Sequence, residues 1–200
     1  MSRAAAPALW LALVTAGATS AAVASPPAAG AADAGDPAAV HATSAANSML
    51  LSDLDAIKQA MQKSRGRTLL VHFWASWCLP CLEEMPLINR FAQEMKQRGV
   101  DVLSVSLDNP DAAARASKVL SEKGPHLTRH LAKVDDADAF IANFDRQWEG
   151  AIPAVFAFDS EGKLRGRFYG EATRRELDRL LAAAGARPGG NGAAAGAKKK

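Results

Sequence analysis

Thr68-Leu69-Leu70-Val71-His72-Phe73-Trp74-Ala75-Ser76-Trp77-Cys78-Leu79-Pro80-Cys81 is an apolar, β-branched run that ends in two cysteines three positions apart. Residues 68–73 have the composition of a buried strand. Beyond Cys81, Leu82, Met85, Leu87, Ile88, Phe91 and Met95 recur at helical spacing among Glu83, Glu84, Asn89, Arg90, Gln93, Glu94 and Lys96. That pattern predicts an amphipathic helix, kinked by Pro86 after its first turn. Cys78 then stands at a helix N-terminus, where unpaired N–H groups and the positive end of the dipole favour a thiolate. Cys81, one turn on, is placed to resolve a mixed disulfide.

These are the only two cysteines among 200 residues, and the other uses of such a pair fit poorly. Zinc takes about four ligands, and there is no second Cys-x-x-Cys. His126 and His130 have finger-like spacing but lie far away in the chain, which leaves surface polarity as their reading. Haem attachment requires a histidine directly after the second cysteine, and Leu82 stands there. A structural disulfide so short is a poor staple.

Phe73 to Cys81 resembles the active-site segment of the thioredoxin superfamily. The continuation Leu82-Glu83-Glu84-Met85-Pro86 resembles the TlpA/ResA-like thiol–disulfide oxidoreductases of bacterial envelopes. The resemblance spans residues 50–184. It implies an α/β thioredoxin-like fold, a central mixed β-sheet flanked by helices, with a strand–helix insertion. It also implies a protein-disulfide reductase that works by dithiol–disulfide exchange without a cofactor. Its partners would be a disulfide-bonded envelope protein, as in cytochrome c maturation, and a membrane thiol donor that re-reduces it; a monomer is expected.

Site roles follow from the same resemblance. Cys78 attacks and Cys81 resolves. Glu84 matches the glutamate that adjusts the cysteine pKa values. Pro153, in Trp148-Glu149-Gly150-Ala151-Ile152-Pro153-Ala154-Val155-Phe156, matches a cis-proline packed beside the dithiol, and Ile152 would offer backbone hydrogen bonds to an extended substrate. Without the resemblance, an ordinary trans turn proline is the reading of Pro153. Trp77 would line the groove. Pro80, between the cysteines, resembles the reducing members and favours a reductase. His72 is a departure: thioredoxin has Asp there, and TlpA/ResA-like proteins often have Asn. A histidine beneath the dithiol could take the Cys81 proton, or it could be a strand residue that simply hydrogen-bonds.

The remaining chain frames this core. Residues 1–24 read as a signal peptide: a basic start, a short apolar run and the Ala22-Val23-Ala24 cleavage pattern. Export to the periplasm is then expected, with an uncleaved N-terminal membrane anchor as the alternative. Residues 25–47 read as a disordered Ala/Pro/Gly-rich linker, 48–184 as the thioredoxin-like domain, and 185–200 as a disordered basic tail. Met49 to Met61 reads as a helix with Ser52 as a possible cap. Strands are expected over 100–107, 127–134 and 154–158, with helices over 112–121, 136–144 and 171–184. Asp159-Ser160-Glu161-Gly162 reads as a hairpin turn. A net charge of +3 is too diffuse for nucleic acid. A different class of function, a copper-binding or delivery module built on the same dithiol, would suit a wider Cys-x-x-x-Cys spacing better.

Overall fold

The computed structural model describes residues 48–186. The expected signal peptide, the linker and all but the first two residues of the basic tail lie outside the described residues. Among the described residues, no helix is long and apolar enough to cross a membrane.

In chain order the elements are β1 (Leu50–Ser52), α1 (Leu54–Gln62), β2 (Thr68–Trp74), α2 (Leu79–Lys96), β3 (Val100–Ser106), α3 (Ala113–Lys123), β4 (His130–Ala132), α4 (Ala137–Phe144), β5 (Ala154–Phe158), β6 (Leu164–Tyr169) and α5 (Arg174–Ala183). They build one six-stranded sheet in the order β1-β4-β3-β2-β5-β6. β1, β4, β3 and β2 are mutually parallel, whereas β5 and β6 are antiparallel. The parallel pairs need helical crossovers, and the β5–β6 pair needs only a hairpin. That hairpin turns at Asp159, whose carboxylate accepts from the N–H groups of Glu161 and Lys163, with Gly162 at φ +77.

The period-2 alternation of strands sorts the core into two layers. Leu70 and Trp74 of β2 and Val155 and Ala157 of β5 face α2, α3 and α5, meeting Met85, Phe91, Leu120, Leu177 and Leu181. Leu69, Val71 and Phe73, with Phe156 and Phe158, face the other way, toward Ile57 of α1, Phe140 of α4 and Trp148. Phe73 lies stacked on Trp148, ring centroids 4.7 Å apart, and edge-on to Phe144 at the same separation. Thr68 to Trp74 is buried throughout, as a central strand covered on both faces must be.

Two expectations need correction. Met49 to Met61 is not one helix: residues 50–52 form β1, and Ser52 caps no helix. Asp53 caps α1, its Oδ1 accepting from Ala56 N at 2.8 Å. A three-residue strand leaves almost no periodic signal, and only its pairing with β4 defines it. His130 is also more than surface polarity. It is half-buried in β4, with Nδ1 2.9 Å from Ser52 Oγ across the β1–β4 pair. The inserted strand–helix is present as β4 and α4, and β4 lies inside the sheet, between β1 and β3. Pro86 sits within α2, which runs unbroken from Leu79 to Lys96.

Burial first, and the nearby Lys63 ammonium second, hold the His130 pKa below its ordinary 6.5. The folded state therefore favours neutral His130. Its contribution is complete above 6.5 and is lost as pH falls through the lower, folded-state value. In thermal melts of wild type and His130→Gln, the advantage of wild type should shrink as pH is lowered from about 7.5 to about 5, a range that spans ordinary histidine titration.

Candidate active site

Strand β2 ends at Trp74, and the chain turns through Ala75-Ser76-Trp77 into α2, whose N-cap is Cys78. The Cys78 sulfur accepts from Cys81 N at 3.3 Å, as a capping side chain does. The two cysteines are joined, with Cα atoms 5.3 Å apart. Cys78 is 6% exposed and Cys81 0%, so incoming groups reach Cys78 first. Around the pair the surface is apolar and open: Trp77 is 63% exposed and Leu79 65%, and Pro80 is exposed beside them.

Beneath the dithiol the same alternation that sorts the core turns His72 toward α2. Its Nε2 lies 2.9 Å from Glu84 Oε1, and both side chains are almost completely buried. The second carboxylate oxygen, Oε2, accepts from Ala172 N at 2.5 Å. His72 Nδ1 has no partner among the described residues. The two acid/base candidates from the sequence are therefore one hydrogen-bonded pair. Glu84 stands one helical turn beyond Cys81, on the buried side of α2, whereas Glu83 is exposed. The Ala172 N–H occupies Oε2, so Oε1 is the carboxylate oxygen that meets His72 Nε2.

The third contributor is the chain just before β5. The register pairs Phe73 with Ala154, which brings Pro153 alongside the end of β2. Ile152–Pro153 is a cis peptide. Pro153 is buried, and its carbonyl accepts from Gly170 N at 2.8 Å. Ile152 is half-buried and packs against both core layers. Trp74 is fully buried and serves packing.

One part of the site escaped sequence reasoning. Asp108, which lies between the expected strand over 100–107 and the expected helix over 112–121 and carries no role there, is 2% exposed. Its Oδ1 accepts from Ser76 Oγ at 2.6 Å, and its Oδ2 from Ser76 N at 2.8 Å and Ser106 Oγ at 2.7 Å. It thereby fixes the loop that presents Trp77 and Cys78. The only signal for it was a pair of small hydroxyl residues at strand ends, which ordinarily reads as solvated. Removing an acceptor this buried leaves the donors around it unpaired. Asp108→Ala should lower the unfolding free energy by about 1–3 kcal/mol, and Asp108→Asn by less, measured by urea titration of the oxidised protein.

Known proteins resemble this chain in sequence and fold. Residues 33–182 match the family model described as Redoxin. The thiol-disulfide oxidoreductase ResA of Bacillus thuringiensis is 26% identical over 136 residues, 68% of this chain and 74% of that protein. The ResA of Geobacillus kaustophilus is 28% identical over 143 residues, 72% of this chain and 78% of its own. A solved thiol:disulfide interchange protein from Chlorobium tepidum, assigned as DsbE, superposes with a TM-score of 0.51 at 25% identity, covering 62% of this chain and 84% of that one. With its dithiol at a helix N-terminus and its strand–helix insertion in the sheet, the chain belongs to the Redoxin family, as a TlpA/ResA-like thiol–disulfide oxidoreductase of the thioredoxin superfamily.

Proposed function

We propose that the protein is exported and uses Cys78 and Cys81 to reduce disulfides of envelope proteins, clients of cytochrome c maturation or others like them. The observation that carries this reading is the stacking of three features. A capping cysteine keeps a sliver of exposure, its partner is fully buried one turn on, and a buried His72–Glu84 hydrogen-bonded pair follows one turn beyond that.

The chemistry runs through this chain's own atoms. In the reduced enzyme the Cys78 thiolate, favoured at the N-terminus of α2, attacks one sulfur of a substrate disulfide and expels the other as a thiolate. The Cys81 thiol passes its proton to the Glu84–His72 pair, and the resulting thiolate attacks the Cys78 sulfur. The mixed disulfide breaks, the second substrate sulfur leaves as a thiol with a proton from the pair or from water, and Cys78–Cys81 closes. Trp77 and Leu79 supply an apolar bed for the substrate segment, and Ile152 and Pro153 border it. A membrane thiol donor then returns two electrons and one proton, restoring the Cys78 thiolate and the Cys81 thiol. The alternative is a copper-binding or delivery module on the same two sulfurs, which would hold a soft cation as thiolates instead of cycling.

The reduction potential of the Cys78–Cys81 couple tests the direction. A value near or below about −270 mV is expected, whereas one near about −120 mV would make the protein an oxidant. A reduced protein that bound copper tightly and failed to cycle would transfer the reading to the copper module. The proton-holding role has its own test. His72→Asn keeps a hydrogen-bonding group opposite Glu84 but does not titrate. It should slow resolution of a Cys78 mixed disulfide by about 10²-fold or more and change the pH profile of that step. An unchanged profile would leave His72 a strand residue that merely hydrogen-bonds.

A further inference from the structure

At the end of the sheet away from the dithiol, β3 has a partner on one side only. β2 accompanies it throughout, but β4 is in register only with Val105 and Ser106. The ladder sets which way each β3 backbone group points. Gly99 O accepts from Thr68 N, and Leu107 N donates to Trp74 O, so odd-numbered residues face β2 and even-numbered ones face the other edge. Ser104, facing outward, is met by a side chain instead of a strand. Its N–H donates to Thr128 Oγ1 at 2.7 Å, and its carbonyl accepts from that hydroxyl at 3.0 Å. Val102 is the next outward-facing residue, and among the described residues no strand is in register with it on that side.

A groove of about 640 Å³ follows this edge, walled by Ala60 of α1 and Lys63 just after it, Gln93 and Lys96 of α2, and His126, Thr128 and His130. Its charge is one-sided. The carboxylate lining it, Asp101, is held by Arg67 at 3.0 Å. Lys63 and Lys96 have no carboxylate partner among the described residues. His130 stays neutral near pH 7, because burial and Lys63 depress its pKa. An unpaired strand edge is a template for another chain, and the usual occupant of such an edge is an extended segment that adds a strand. The two free ammonium groups set the sign of its side chains.

We propose that the β3 edge at Val102 docks an extended acidic segment of a partner protein, which adds a short strand there with its carboxylates against Lys63 and Lys96. Fifteen helical residues separate Cys81 from Lys96 along α2, about 22 Å, so a partner held there leaves the dithiol free to react.

Amide hydrogen exchange on the oxidised full chain, read by NMR, tests this, with acetyl-Glu-Val-Glu-Val-Glu-Val-amide as probe and the Lys-Val counterpart as control. The Val102 amide should exchange readily in the free protein and be slowed by at least about tenfold by the acidic peptide, with no such effect from the basic one. A Lys63→Glu/Lys96→Glu double variant, whose fold is checked by its retained Leu70 protection, should abolish the slowing. No slowing at millimolar peptide overturns the proposal, as does equal slowing by both peptides. Val102 protection in the free protein also overturns it: if it grows with protein concentration it assigns the edge to a second copy, and if it does not, to the chain's own N-terminal segment.

Discussion

The Glu84 carboxylate is buried, and everything around the dithiol is arranged to make that tolerable. Burying a carboxylate without partners is prohibitive, and here both oxygens are engaged, one by His72 of β2 and the other by the Ala172 amide just before α5. Three segments distant in sequence are thus tied at one point beneath Cys81. Such a pair is weak evidence for stability, because desolvation offsets attraction, yet losing one partner costs about 3–5 kcal/mol. The constraint acts on geometry: α2 can sit on β2 in only one rotation if Glu84 is to reach His72. That same rotation places Cys78 at the surface and Cys81 underneath.

A second buried carboxylate does the corresponding work above the sheet. Asp108 lies just past the end of β3, and through Ser76 it clamps the loop that leaves β2. β2 and β3 are parallel neighbours, so their C-terminal ends emerge side by side, and the crevice outside those ends is where α/β sheets hold their chemistry. The loop between strand and helix has one turn bond of its own, Cys78 N to the Ala75 carbonyl at 3.2 Å, and Asp108 adds two more through Ser76. The dithiol is therefore held from below by Glu84 and from the side by Asp108, while its outer face keeps exposed apolar side chains.

The inserted β4 and α4 change the sheet more than their size suggests. By entering between β1 and β3, β4 covers the upper half of the β3 edge and leaves the lower half to a threonine hydroxyl and a groove. The device that enlarges the family's fold thus also creates an edge of a kind that proteins usually cover or blunt. The aromatic cluster of Phe73, Phe144, Trp148 and Phe156 anchors α4 and the chain before β5 to the opposite face.

Much of this was written locally. The apolar run 68–74, the helical spacing after Cys81 and the cysteines at the junction determined a buried strand, a helix and a redox pair, because local periodicity and N-terminal capping need only neighbouring residues. The hairpin at Asp159 and the closing helix, with Leu177, Leu180 and Leu181 inward, were legible for the same reason. What the tertiary structure decided is every pairing across the chain. That His72 and Glu84 form one unit, that Asp108 is a buried acceptor rather than a solvated turn residue, that residues 50–52 are a strand, and that β4 pairs with β3 only at Val105 and Ser106 all depend on register and layer packing. Those are contacts between residues from 12 to 78 positions apart, set by which faces must be buried together, and no local pattern encodes them.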